Sequence, residues 1–399
     1  MQVQQMKKNN LPQMNKHKHG FNMKKIFLIL TIFGLNILFA QQMEDALSEI
    51  LKNNQELKAI SEMNKLEVLN AKNELIPDNP ELEQEFRENN NYEIGITQSF
   101  QFPTFYYHQY KNVQLTKKQQ EAIYRATKVR ILEEAKIGIF KLSYLENQTK
   151  IQEERLENAT QLASYFIKML NEGEITQLEL NQAKIHKIAF DNQLQNLHIE
   201  KAEVVESLKL LNGGNDVNLS IIEYSKNQLN IKNLKDEYLE KNPDLAIEQI
   251  NQQIADRHTK IAKYGWLPDF KLGVHKEKES DPMLHYGISI PLWKNRNHVN
   301  RAKANQRYNA TNLQYTKQSV VSKFDQLGLQ FSILQNKLNL NLSLDLNTKE
   351  LLEKSLKAGE ISSIEYFTEL ENLYEFEDEL LKTKLDLEVV KVKLTSFKF

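Results

Sequence analysis

The sequence runs twice through nearly the same series of motifs, and this duplication limits its possible folds more than any other feature. Asn54-x-x-Leu57 returns as Asn242-x-x-Leu245, and Ala71-Lys72 to Pro77-Asp78 returns as Ala262-Lys263 to Pro268-Asp269. Gly95-Ile96-Thr97 returns as Gly287-Ile288-Ser289, and Gly138 as Gly328. Gly173-Glu174-Ile175-Thr176-x-x-Glu179 returns as Gly359-Glu360-Ile361-Ser362-x-x-Glu365. The separations run only from 186 residues (Gly173 to Gly359) to 192 (Gly95 to Gly287), and the order is kept. The chain therefore reads as a first repeat over 41–230 and a second over 231–399, with Asn212-Gly213-Gly214-Asn215 opening the linker between them.

Proline placement indicates what each repeat is built from. Pro77, Pro80 and Pro103 form one cluster, Pro268, Pro282 and Pro291 another, and Pro243 stands alone before the second. No proline falls between Pro103 and Pro243 or after Pro291, so both stretches are free to form long helices. Their apolar spacing agrees. Phe190, Leu194, Leu197, Val204, Leu208 and Leu211 step as one helical face, and Leu373, Leu380, Leu387 and Leu394 recur every seven residues. A generic coiled coil has the same pattern.

The proline clusters carry a period of two instead. Tyr92, Ile94, Ile96, Phe100 and Phe102 alternate with Glu93, Gly95, Thr97, Ser99 and Gln101. Phe270, Leu272 and Val274 alternate with Lys271, Gly273 and His275, and Tyr286, Ile288, Ile290 and Leu292 form a further set. The weakest strand candidate is Glu81 to Glu88, with only Leu82 and Phe86 apolar. Two hairpins are expected, over about 81–102 and 269–292. The first alternating run has about the length of a transmembrane β-strand. On alternation alone, a soluble sheet with one buried face is an alternative.

Lys24-Lys25, the apolar run Ile26 to Phe39, Ala40 and the polar Gln41-Gln42 read as a secretory signal. Residues 1–40 are accordingly expected to be an N-terminal extension plus signal peptide, with Met23 the better natural start and a retained anchor as the alternative. These residues hold six Lys and no acid, so their removal takes the formal charge from −1 to −7. No other apolar run approaches the roughly 20 residues of a transmembrane helix, so a mature chain that spans a membrane must do so as a β-barrel.

Chemistry is excluded more easily than assigned. The chain has no Cys, which removes disulfides, thiolate metal sites, a Cys nucleophile and a lipid-bearing N-terminal Cys. No basic balance argues for nucleic acid. There is no GxSxG, Walker or HExxH motif, and neither an enzyme activity nor a cofactor is expected. No metal site is assigned: His275 and His285, flanking the second hairpin loop, are read as ordinary loop histidines, and Glu371 to Glu379 as a solvated helix face. Trp266 and Trp293 bracket the second strand pair and suit either an interfacial girdle or plain packing.

The order of elements, with Asn242-Pro243-x-Leu245 opening a helix, Leu267-Pro268-Asp269 before a strand, Gly287 to Leu292 closing a hairpin and Ala358 to Ser362 between helices, resembles the TolC-like outer-membrane efflux proteins. The resemblance covers essentially the whole mature chain. The first repeat departs from it at Gln55 and Ile76, where the second has Pro243 and Leu267. Gln98-Ser99-Phe100 and Phe102-Pro103, with Ile290-Pro291-Leu292-Trp293, look most like the heavy-metal-cation branch.

The resemblance implies a mainly α fold with a small β-barrel part. Duplicated long-helix hairpins would carry four transmembrane strands per protomer, closing a trimeric twelve-stranded barrel above a helical tunnel. Ile96 would face lipid, while Gly95, Thr97, Ser99, Gln101 and Ser289 would face a wet lumen. By the same match, Gly173 and Gly359 would shape periplasmic tips, and Glu174, Glu179, Glu360 and Glu365 would supply acidic groups for adaptor docking and the entrance. Ordinary surface helix ends are the alternative for those six residues. The implied function is the passive exit duct of a tripartite efflux system. Its partners would be two further copies of the chain, outer-membrane lipid, a periplasmic adaptor and an inner-membrane transporter of the resistance-nodulation-division type. The alternative is a soluble periplasmic coiled-coil scaffold or adaptor without a barrel.

Overall fold

The computed structural model describes residues 42–87, 91–217, 229–293, 297–341 and 348–399. The extension and signal read at 1–40, and most of the inter-repeat linker, lie outside the described residues.

Each repeat opens with a short helix, a capping asparagine and a second helix. In the first repeat α1 (42–53) leads to α2 (Gln55–Asn73), and Asn54 accepts a hydrogen bond from the Leu57 N–H at 2.9 Å. In the second, after η1 (Ile231–Asn233), α5 (Leu234–Lys241) leads to α6 (Pro243–Tyr264), where Asn242 accepts from the N–H groups of Asp244 and Leu245, both at 3.1 Å. The repeated Asn-x-x-Leu is thus an N-cap with an apolar anchor: the asparagine ends one helix and satisfies the first orphan donors of the next, and Leu57 and Leu245 are buried below it. Pro243 at the first helical position has no N–H to leave unpaired, whereas Gln55 does the same job without that advantage.

The linker motif is structural where it is described. Asn212 ends a helix, is fully buried, and accepts a hydrogen bond from the Asn53 amide at 3.0 Å. The Asn54 amide in turn donates to the Leu211 carbonyl at 2.9 Å. The α1–α2 junction is therefore pinned to the end of the first hairpin.

The proline-free stretches are helical as expected. Helix α3 (Pro103–Glu172) runs 70 residues without a break, about 105 Å at 1.5 Å per residue, and α4 (Gln177–Leu211) returns along it. In the second repeat α7 (His298–Asn341) and α8 (Thr348–Ala358) lead to α9 (Ser363–Thr395), and the stretch joining α7 to α8 lies outside the described residues. The expected seams face inward: Phe190, Leu194, Val204 and Leu208 on α4 and Leu387 and Leu394 on α9 are buried. Among the described residues no helix is long and apolar enough to cross a membrane.

Three apolar clusters stack along the rod. One joins α1, α2, the middle of α3, the end of α4 and α9 through Ile50, Leu57, Ile131, Ala135, Leu145 and Leu208. A second joins α5, α6, α7 and the end of α9. The third, toward the hairpin ends, packs Phe166, Ala183, Phe190, Tyr366, Phe367 and Tyr374. Between the clusters α3 and α9 are tied by a buried cation. Arg155 is 4% exposed, and its guanidinium donates to Asp378 at 2.9 Å and Glu377 at 3.0 Å while lying 4.1 Å from the centre of the Tyr374 ring. Asp378 also accepts from the Gln148 amide at 3.2 Å.

The strands form one four-stranded antiparallel sheet in the order β1 (Glu81–Arg87), β2 (Asn91–Phe100), β3 (Asp269–Glu277), β4 (Met283–Ser289). The two hairpins therefore join through β2 and β3, with Ile96 opposite Val274 and Gly95 opposite His275. The outer edges of β1 and β4 pair with no other strand among the described residues.

The Arg155 joint generates an asymmetric expectation. Replacing Glu377 and Asp378 together by Gln and Asn strands a buried guanidinium and should cost about 3–5 kcal/mol. Arg155→Met leaves two partly exposed carboxylates that water can solvate, and should cost less. Circular-dichroism melts should rank the double variant below Arg155→Met; the reverse order would mean the carboxylates are not the partners that matter.

Candidate functional site

The sheet has its two faces the wrong way round for a water-soluble layer. By register, one face carries Leu82, Phe86, Ile94, Ile96, Leu272, Val274, Leu284, Tyr286 and Ile288. All of these are exposed: Ile96 is 52% exposed and Tyr286 84%. The opposite face carries mainly polar and small residues, and on the two central strands these are the covered ones: Glu93 and Thr97 are each 9% exposed, and Gly95 and Gly273 are buried, whereas Glu81, Glu83 and Glu85 on β1 and His285 and Ser289 on β4 are exposed. The soluble sheet with a buried apolar face, open as an alternative on alternation alone, does not describe this arrangement. The reason lies in the partners: among the described residues no helix covers the apolar side, while the polar side of β2 and β3 is filled by side chains across the strands.

Thr97 and Ser99 lie on this polar face, with Thr97 opposite Gly273 and Ser99 opposite Lys271. Ser289 closes β4 opposite Asp269. Gln101 lies one residue beyond β2, and its backbone N–H donates to the Tyr106 hydroxyl at 3.2 Å. The face is acidic, with Glu81, Glu83 and Glu85 on β1, Glu93 on β2 and Glu277 on β3; Lys271 lies 3.9 Å from Glu81.

His275 and His285 lie within β3 and β4 and not in the loop between them, because the alternation extends through both. Their rings stack at 4.2 Å. His275 Nδ1 is 3.0 Å from Glu93 Oε1 and Nε2 is 3.2 Å from the Thr97 hydroxyl. Glu93 was visible in the sequence only as a polar alternate. Its place beside His275 depends on β2–β3 register between residues 182 positions apart.

At the far end of the rod the two Gly-Glu-Ile motifs form matching turns. Gly173 has φ 78° and Gly359 φ 72°, the left-handed conformation that glycine adopts without strain. The next N–H in each case, of Glu174 or Glu360, donates back to the Met169 or Ser355 carbonyl at 2.9 Å. Three residues later a capping box starts the next helix. Thr176 accepts from the Glu179 N–H at 3.3 Å and its own N–H donates to the Glu179 carboxylate at 2.8 Å; Ser362 and Glu365 repeat this at 3.2 and 2.8 Å. Glu179 and Glu365 are thus bound to their own helix ends, where the macrodipole favours a negative charge. Glu179 also accepts from the Ser363 hydroxyl at 3.2 Å, which links the two tips, and Glu360 accepts from Ser355 at 3.0 Å.

Hydrogen bonds from the Thr176 and Ser362 backbone N–H groups, then from their hydroxyls, hold the Glu179 and Glu365 carboxyls below their ordinary pKa. A carboxylate with a lowered folded pKa stabilises the fold fully above its unfolded value, about 4.3, and that contribution is lost as pH falls through the lowered value. The first turns of α4 and α9 should therefore lose hydrogen-exchange protection, corrected for intrinsic rate, below about pH 4. In Glu179→Gln/Glu365→Gln the box geometry is kept and the acid-dependent change should vanish. Equal pH dependence in both proteins would remove the carboxylates from this role.

No protein-family model matches the sequence, and no curated protein matches it. Solved structures do. CusC, studied for the conformational changes accompanying folding and transmembrane channel formation, is 18% identical, with 90% of this chain and 92% of that chain covered at a TM-score of 0.74. The Campylobacter jejuni CmeC outer membrane channel is 15% identical over 89% and 85% at 0.73, and the Vibrio cholerae outer membrane protein VceC 13% identical over 90% and 94% at 0.69. At these identities the likeness bears on architecture, and over nine-tenths of its length the chain has the fold of these proteins: paired helical hairpins carrying a four-stranded sheet.

Proposed function

We propose that three copies of this chain form an outer-membrane channel, the exit duct of a tripartite efflux system, passively conducting what an inner-membrane transporter of the resistance-nodulation-division type delivers through a periplasmic adaptor. One observation carries the proposal: a sheet with one exposed apolar face, a polar face covered along its two central strands, and two edges that pair with no strand among the described residues. Open edges are not tolerated in lipid, and four strands cannot close on themselves. Three sheets joined edge to edge would make a twelve-stranded barrel, apolar outside and wet inside. The solved structures that share the fold include proteins described as outer membrane channels.

The helices offer a second reason for partners of the same kind. Leu178, Ile185 and Ile199 on α4, and Tyr308, Tyr315 and Leu329 on α7, are exposed apolar residues at heptad-multiple spacing, beyond the seams already packed within the chain. A neighbouring copy would cover them. The tips at Gly173 and Glu174, and at Gly359 and Glu360, would present the adaptor surface and the entrance. The acidic polar face, tripled, would favour cations in the lumen, which fits the heavy-metal cargo suggested by the sequence. The scaffold alternative has no place for the uncovered apolar sheet face.

The assembly is tested by extracting the protein from membranes with detergent. The expected result is a heat-sensitive trimer that conducts cations in a planar bilayer. A protein that fractionates wholly as a soluble monomer would refute it. Facing is tested at one depth with two variants, because Ile96 is level with Leu82 and Glu83 is its neighbour on the opposite face. Ile96→Arg places a charge toward lipid, at a cost of about 2–4 kcal/mol near mid-depth, whereas Glu83→Arg meets water. Inserted trimer should fall sharply for the first and stay near wild type for the second; equal yields would contradict the assignment. Gly95 is unsuited to this comparison, since any side chain there collides with His275.

A further inference from the structure

We propose that Glu93, His275 and His285 form a binding site for one divalent transition-metal cation, Zn²⁺ being the representative case, within each copy of the chain. The proposal concerns a resident ion held by one sheet. It rests neither on trimerisation nor on the identity of the cargo.

Three adjacent strands supply the donors. Glu93 on β2 lies one step along the polar face from Gly95, the residue opposite His275 on β3, and His285 on β4 is opposite Gly273. The register therefore sets carboxylate, imidazole and imidazole along one diagonal, and one ligand atom from each lies within 4.8 Å of the others. A tetrahedral ion with bonds near 2.0–2.1 Å needs donors about 3.4 Å apart, and two His with one carboxylate leave the fourth position to water. His285 is exposed and His275 half-buried, and binding would require the His285 ring to turn out of its stack toward the other two donors. Imidazole with carboxylate suits zinc, copper or nickel and discriminates against magnesium and calcium, which take oxygen donors.

Two further features are those of a built site. First, His275 has a partner on its far side. Without an ion, Nδ1–H donates to Glu93 at 3.0 Å and Nε2 accepts from the Thr97 hydroxyl at 3.2 Å; an ion between Nδ1 and Glu93 would take the place of the Nδ1 proton, and Nε2–H would then donate to the Thr97 oxygen. Such outer partners set the tautomer and aim of metal-binding histidines. Second, Gly95 leaves the ring its place: a Cβ there would be 2.4 Å from His275 Cε1 and Nδ1.

The test uses the purified full chain in detergent and Zn²⁺ alone, titrated calorimetrically in the presence of excess Mg²⁺. One Zn²⁺ per chain is expected. Each of Glu93→Gln, His275→Ala and His285→Ala should weaken binding by more than the roughly 10–100-fold typical of losing an outer partner, and Thr97→Val by about 10-fold. His298→Ala, outside the sheet, should bind as wild type does. A second measurement needs no variant: Zn²⁺ should protect His275 and His285 from diethyl pyrocarbonate, read peptide by peptide, and leave His298 reactive. Absence of Zn²⁺ binding, binding unchanged in the three ligand variants, or protection that spares His275 and His285 would each overturn the proposal. None of these outcomes bears on membrane insertion or conductance, so the channel reading stands or falls separately.

Discussion

A sheet that turns its apolar face away from its own chain is the constraint on which the rest of the structure depends. Leu272, Val274, Ile96 and Tyr286 gain nothing from the described helices, because none packs over them. In the proposed channel their burial comes from lipid. The polar face, by contrast, is organised within the chain: Thr97 and Glu93 hold His275, and Gly95 and Gly273 give way to the side chains opposite them. The same inversion would be a severe aggregation liability in water and is the expected order in lipid.

Duplication solves the problem of building such a sheet on a helical rod. Each repeat donates one hairpin, and the hairpins meet at β2 and β3, so the central strand pair is also the junction of the repeats. The rod makes the same junction several times over. Arg155 of the first repeat is held by Glu377 and Asp378 of the second, and Ser363 of the second tip donates to Glu179 of the first. Sheet, shaft and tips are thus each closed by contacts between copies, and neither repeat has a complete version of any of them.

Much of this was legible in the sequence because it follows from local chemistry. Period two in Tyr92 to Phe100, the absence of proline from 104 to 242, and repeated Asn-x-x-Leu and Gly-Glu-Ile motifs place strands, helices, caps and turns. What was not legible is what depends on register or on distance along the chain. Gln101 continues the alternation on paper but lies beyond the strand, which gives way to helix at Pro103. Glu93 looked like any polar alternate until β3 was set beside it. Arg155 was one basic residue among many on a helix, and its ion pairs span 222 and 223 positions. The tip glutamates show the opposite case. Thr-x-x-Glu and Ser-x-x-Glu spell a capping box within four residues, so this local role of Glu179 and Glu365 is written in the sequence itself.

The central claim is that β1 of one copy pairs with β4 of the next, and the absence of native cysteine allows it to be tested directly. In a four-stranded sheet, β1 and β4 of one chain are three strand spacings apart, about 14 Å, too far for a disulfide within the chain. The measurement is oxidative cross-linking in membranes of Gln84→Cys combined in turn with Leu284→Cys, Tyr286→Cys or Ile288→Cys, read as covalent species on a denaturing gel. The account predicts covalent trimers for at least one pairing and none for either single variant. Monomers alone across all three pairings, in protein that is inserted in the membrane, would contradict it.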